Sequence, residues 1–186
     1  TVIKTSDELN SLCDKINTAK KVSLIFNTAN GIICGIGAAI GSEGFYIGGE
    51  FLCPVPDCLI SVLSNPEIKK YGFNIKDALV CLYGTTPVKG LCYDLAIAAY
   101  LINPARASYS IGALCLEYFG CDPTSDNKSS QISIFDDDSS DAEDFITQAL
   151  LIFPLYELTK NQLKDAGQEL LYYDVELPLV TVLADM

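Results

Sequence analysis

Histidine and tryptophan are absent from these 186 residues, methionine occurs once, and the basic side chains number only 12. Without histidine, Ser–His–Asp and Cys–His mechanisms are excluded, as is an imidazole general base. Any catalysis would fall to carboxylates, cysteine, lysine or tyrosine. The 24 acids leave a net charge of −12, a balance that repels phosphate backbones and argues against an independent grip on nucleic acid. No apolar run reaches the ~18 residues needed to span a bilayer, so no membrane partner is expected. The N-terminus lacks the basic-then-apolar pattern of a secretion signal.

What is present is a globular composition, 49% hydrophobic and 19% charged, in a chain of a length suited to one domain over residues 1–186. Eight cysteines are scattered, and Cys34, Cys81, Cys92 and Cys115 sit inside apolar runs. That is how small buried thiols are used in a reducing compartment, so all eight are expected to be reduced and the location cytoplasmic. Cys53, Cys58, Cys115 and Cys121 are too widely spaced for a zinc knuckle.

Along the chain, "TSDELNSLCDKINTA" reads as a helix capped by Thr5 or Ser6, with Glu8 in its first turn and Leu9, Leu12 and Ile16 at helical spacing. "KVSLIFN" is a buried strand. "GIICGIGAAIG" and "GFYIGGEFLC" are glycine-punctuated strands joined by a turn at Ser42–Gly44, so residues 21–50 supply the first three of about five strands. No Lys-Ser/Thr pair follows these glycines, so they read as bulges or close backbone approaches and not as a phosphate loop. Helices are expected in "DCLISVLS", in "FNIKDALVCLYG", after the short strand in "VKGLCYDLAIAAYLINP", and in "SYSIGALCLEYFG" with Ser108 or Ser110 as cap. The Ser/Asp-rich stretch from Cys121 to Asp144, including the acids Asp136 to Asp138, reads as a solvated loop before a helix whose N-terminus favours acids. Two helical stretches close the chain, the first with Pro154 expected to kink or split it and the second spanning 168–186. In this last helix Leu171, Val175, Leu179 and Val182 form a stripe, part of which is expected to pack on the domain. Met186 falls in mid-pattern, as in a segment cut from a longer chain.

Three stretches, in order, resemble the 3′–5′ exonuclease-like domain of bacterial DNA polymerase I, the family A polymerase. "YYDVELPLVTVLADM" is similar to the family's IE-x-PL-x-x-VL-x-x-ME pattern in the helix that closes that domain and leads toward the polymerase thumb. "YDLAIAAYLINPARASYSIGALCLEYFG" resembles "FDTMLASYLLNP…YSLDDLAERYLG", and "NIKDALVCLYG" resembles "NLKYDLLVLKRYG". The resemblance implies an α/β, ribonuclease H-like fold of the DEDD exonuclease type: a mixed β-sheet flanked by helices. Active members hold two divalent metals on four carboxylates.

Here the family's "FDTET" reads "FNTAN", which puts Asn27 and Ala29 where two acids stand. "NLKYD" becomes "NIKDA", with Ala78 at the third, and alignment of "LYELTKNQLKD" with "LYPVLKEKLKE" puts Asp144 at a tyrosine and Gln148 at the fourth acid. The resemblance thus implies no catalytic and no metal residue: Asn27, Ala29, Ala78 and Gln148 mark a lost site. Asp77, one residue off on a helix, points ~100° away, and Asp94 matches a structural aspartate of the family. The expected function is a non-catalytic scaffold for the polymerase module in replication and repair. Its expected partner is the polymerase domain of the same chain, its oligomeric state monomeric, and its contact with DNA only through the parent enzyme. No cofactor is expected in this segment, with Mg²⁺ confined to the polymerase module. The alternative is an active metal-dependent proofreading exonuclease with a rearranged site.

Overall fold

The computed structural model describes residues 1–123 and 137–184, and the side chains of all of these except 137–140. The stretch 124–136, with Asp136, and the terminal Met186 lie outside the described residues. Six strands, β1 (Val2–Ile3), β2 (Lys21–Ala29), β3 (Ile32–Ile40), β4 (Glu43–Gly48), β5 (Lys69–Gly72) and β6 (Leu91–Asp94), form one mixed sheet in the order β1-β4-β3-β2-β5-β6. β2, β3 and β4 run as an antiparallel meander, while β5 joins β2, β6 joins β5 and β1 joins β4 in parallel. Residues 21–50 do supply three strands, but β1 and β5 were not legible in the pattern: one has two residues and the other opens on Lys69 and Lys70.

Helix α1 (Ser6–Ala19) begins with the expected capping box, in which Thr5 Oγ1 accepts from Glu8 N and Glu8 Oε2 accepts from Thr5 N. α2 (Asp57–Ser64), α3 (Lys76–Leu82), α4 (Leu95–Ile102) and α5 (Ile111–Phe119) follow, α5 capped by Ser110 Oγ. α6 (Asp137–Asp165) then runs unbroken for 29 residues. This corrects two expectations. The helix already includes 137–144, where acids near its N-terminus are favoured by the helix dipole. It also continues through Pro154, which is exposed on the solvent side, so the expected split does not occur.

The sheet is covered on both faces, so β2 reads as a near-continuous apolar run. Val22 and Leu24 pack with Leu9, Leu12 and Ile16 of α1 and with Leu59 and Val62 of α2. On the other face Ile25, Ala39 and Tyr71 meet Ala149, Ile152 and Leu155 of α6. Ile152 and Leu155 are fully buried, each contributing about 2 kcal/mol from water-excluded area. Glycines make this approach possible. A Cβ on Gly37 would stand 2.5 Å from the Phe145 carbonyl oxygen, and one on Gly44 2.6 Å from Ile146 Cγ2.

The closing segment comprises α7 (Glu169–Leu171), a π-helical turn (Tyr172–Glu176) and α8 (Leu177–Ala184). Its packing face is Tyr172, Leu177, Val180 and Ala184. The step of five from Tyr172 to Leu177 is the π turn, which inserts a residue just before Pro178 and accommodates a ring that cannot fit a regular helix. The expected stripe is therefore corrected. Leu171, Val175, Leu179 and Val182 are 39–54% exposed, because the π turn rotates the buried face away from them.

Candidate functional site

The site lies at the C-terminal end of β2. Asn27 pairs with Gly35 and Thr28 with Ile33, so the ladder slips there and Cys34 is the unpaired extra residue on β3. Half-buried Asn27 opens onto a cavity of about 540 Å³ shared with Lys4, Cys34, Tyr46 and Glu50, and with Asp141, Ala142 and Glu143 of α6. The close crossing of α6 over Gly37 and Gly44 brings its first turns to this point. Tyr46 and Phe145 meet there with ring centroids 6.1 Å apart.

Ala78 is buried in α3 and lines a separate crevice of about 150 Å³ with Ile25, Phe26, Thr28, Phe73, Asn74 and Asp77. Ala29 is exposed at the end of β2, opposite Ile32. Gln148 is half-buried on α6 and lines neither cavity, and Asp144 is half-buried one turn before it. Among the described side chains of α6, those of 141–143 line the cavity onto which Asn27 opens, and two of them are acids, Asp141 and Glu143. Reading the sequence before Phe145 as loop hid them. The run of acids does mark a helix N-terminus, but the helix already includes Asp137 and so takes in acids that the sequence pattern sets in the loop.

A hard divalent cation takes several oxygen ligands and needs carboxylate charge. The four residues that the sequence resemblance sets at the acids' positions do not fit one: Asn27 and Gln148 offer neutral amides, and Ala29 and Ala78 only methyl groups. Glu50, Asp141 and Glu143 share the cavity with Asn27, yet no three Asp, Glu, Cys or His side chains among the described residues converge closely enough to hold a metal ion.

Asp94 is structural. It is 1% exposed and caps α4 by accepting from Ala96 N at 2.9 Å, and it also accepts from Asn74 N at 3.1 Å and Ile75 N at 2.8 Å at the entry to α3. Burial pushes its carboxyl above the ordinary aspartate value, against the pull of those N–H groups. All eight cysteines are free thiols. Among the described residues no helix is long and apolar enough to cross a membrane.

The family model described as "DNA polymerase I, ribonuclease H-like domain" matches residues 26–128, more than half of the chain. The chain belongs to this family. It is 30% identical over 155 residues to the DNA polymerase I of Mycobacterium tuberculosis, covering 80% of this chain and 17% of that protein. The POL domain of Pol1 from M. smegmatis, in complex with DNA primer-template and dNTP, superposes with a TM-score of 0.75 at 20% identity, over 100% of this chain and 31% of that one. Escherichia coli RNase D, an exoribonuclease, also gives 0.75 at 18% identity, over 100% of this chain and 50% of that one. At these identities the structures establish the fold, a ribonuclease H-like mixed sheet flanked by helices. The chain spans about a sixth of the length of this curated DNA polymerase I.

Proposed function

We propose that this ribonuclease H-like domain does not cut nucleic acid and serves as a structural scaffold for a polymerase module in the same chain. The observation that carries the reading is Asn27. At the strand end where the family pattern has the aspartate of its first motif, this chain offers an uncharged amide, and Ala29 and Ala78 offer methyl groups at the next two acids. Two-metal hydrolysis needs those charges together to bind the ions, activate water and stabilise the leaving oxygen. With its net charge of −12, the domain meets DNA only through the polymerase module. We further infer a monomer working in the cytoplasm during replication and repair, with Mg²⁺ needed only by that module.

The exposed face of the closing segment supports the scaffold role. Leu170, Leu171, Val175, Leu179, Val182 and Leu183 are 39–76% exposed, an apolar strip that a neighbouring module would cover. The test compares a polymerase carrying this domain with a version lacking it, by thermal melting and primer extension. A scaffold predicts a lower melting temperature with nucleotide incorporation little changed. Unchanged melting with altered processivity would assign the domain a direct role on DNA instead.

A second reading is favoured by one observation: Glu50, Asp141 and Glu143 line the cavity onto which Asn27 opens. In that reading the domain is a metal-dependent 3′–5′ exonuclease with a rearranged site, and Glu143→Gln would abolish its activity.

A further inference from the structure

A small cleft of about 70 Å³ lies at the start of β2, the opposite end of the strand from Asn27, where α6 crosses the sheet. Its walls are Ala39, Tyr71, Leu150 and Phe153. Two donors reach it from one face of β2, the Lys21 ammonium at its mouth and the Ser23 hydroxyl inside. Ser23 is 4% exposed, and its hydroxyl has no partner among the described residues. Unlike the unpartnered Thr86 hydroxyl, which is sealed in the protein, that of Ser23 reaches the cleft surface. Buried hydroxyls are normally satisfied, so one that meets a cleft without a protein partner marks where a ligand oxygen can accept. The cleft has room for a few waters or one small ion.

The charges around the cleft give the ligand's sign. Lys21 stands opposite Lys69 of β5 in the parallel ladder, so both side chains leave the sheet on its α6 face, where like charges repel. The Lys21 ammonium rests 4.6 Å from the Phe153 ring centroid, and the Lys160 ammonium 5.6 Å from that of Tyr156. The Tyr156 ring packs in turn on Tyr71 and Phe153, so one aromatic platform carries both cations. Lys21, Lys69 and Lys160 are exposed, yet among the described residues none forms an ion pair, in a chain with 24 acids. Glu157, on the same stretch of α6, is exposed and pairs with none of them, and no described carboxylate lines the cleft. We propose that this cleft binds a small oxyanion of the phosphate type, bridged between Ser23 Oγ and the Lys21 ammonium, with Lys69 offsetting its remaining charge. Ser23 and Lys21 stand two residues apart on the strand, about 7 Å, a span that one tetrahedral oxyanion between their side chains can bridge. This site is independent of the domain's scaffold role.

The probe is inorganic phosphate, titrated by NMR into the isotopically labelled chain at constant ionic strength, with chloride as the balancing salt. Expected are saturable amide shifts in the millimolar range, centred on residues 21–23, 41 and 69–71. Ser23→Ala should weaken binding about 10-fold, the worth of one hydrogen bond to a charged group. Lys21→Met, at an exposed position, keeps an apolar stem on Phe153 and should abolish the saturable shifts. Lys164→Met, an exposed lysine outside the cleft lining, should leave the affinity unchanged. The nucleotide dAMP should bind no more tightly than phosphate, since the cleft has no room for a base. Linear shifts that chloride reproduces, shifts centred elsewhere in the chain, or unchanged affinity in both Ser23→Ala and Lys21→Met would each overturn the site. So would shifts produced by dAMP but not by phosphate.

Discussion

The hydroxyl of Tyr172 is held from both sides by the backbone of Asp94: it accepts from Asp94 N at 2.7 Å and donates to the Asp94 carbonyl oxygen at 3.1 Å. Both groups are buried, and the pair ties the π turn of the closing segment to the junction of β6 and α4, 78 residues away in sequence. Tyr172→Phe would leave a buried N–H and a buried C=O unsatisfied. At about 1–3 kcal/mol each, the expected loss is about 2–6 kcal/mol, or a fall in Tm on the order of 10 °C for a chain of this size. Tyr100→Phe, at an exposed ring, should leave Tm unchanged.

Gly37 tests the contact that sets α6 on the sheet. A Cβ there would meet the Phe145 carbonyl oxygen at 2.5 Å and Ile25 Cγ2 at 2.8 Å, so Gly37→Ala should cost about 1–3 kcal/mol in chemical denaturation. Equal stability of the variant and the parent chain would mean that α6 rides higher over β3 than described.

Much of this architecture was legible in the residues, and the failures share one cause. α1, the β2–β4 meander and α5 announce themselves through local signals: a capping box, apolar runs, and a serine before a helix. β5 does not, because Lys69 and Lys70 look like surface residues. Lys70 is in fact fully buried, its ammonium donating to the carbonyls of Asn65 at 2.8 Å and Ile68 at 3.0 Å. The stripe on the closing helix failed similarly, since a constant 3.6-residue period cannot anticipate a π turn. At the site, the motif strand told where Asn27 stands, but only the crossing of α6 over glycines showed that residues 141–143 line the cavity beside it.

Lys70 has a pH signature. Burial lowers its ammonium from 10.5 to about 8 in the folded chain. Below pH 8 it is protonated in both states. Between about pH 8 and 10.5 the unfolded chain binds the extra proton, so this group makes stability rise with pH across that window. The difference in unfolding free energy between the parent chain and Lys70→Met should therefore grow in the parent's favour from pH 8 to 10. A difference independent of pH would show that Lys70 titrates normally.

The exposed strip on α8 separates the domain's own stability from its proposed scaffold role. Leu179 and Val182 are 40% and 54% exposed, so Leu179→Asp and Val182→Asp should change the melting of this chain by no more than about 0.5 kcal/mol. In a polymerase that carries the domain, the same changes should lower Tm by several degrees. Equal small effects in both contexts would mean that nothing covers the strip.

The proposed loss of the metal-binding acids is tested most directly by incubating the chain, and its Asn27→Asp variant, with 5′-labelled single-stranded DNA in Mg²⁺ or Mn²⁺. The account predicts full-length DNA in every lane, because a single restored carboxylate cannot assemble a two-metal site beside Ala29 and Ala78. Stepwise metal-dependent shortening from the 3′ end by the parent chain, abolished by Glu143→Gln, would contradict it and establish a working nuclease built on different acids.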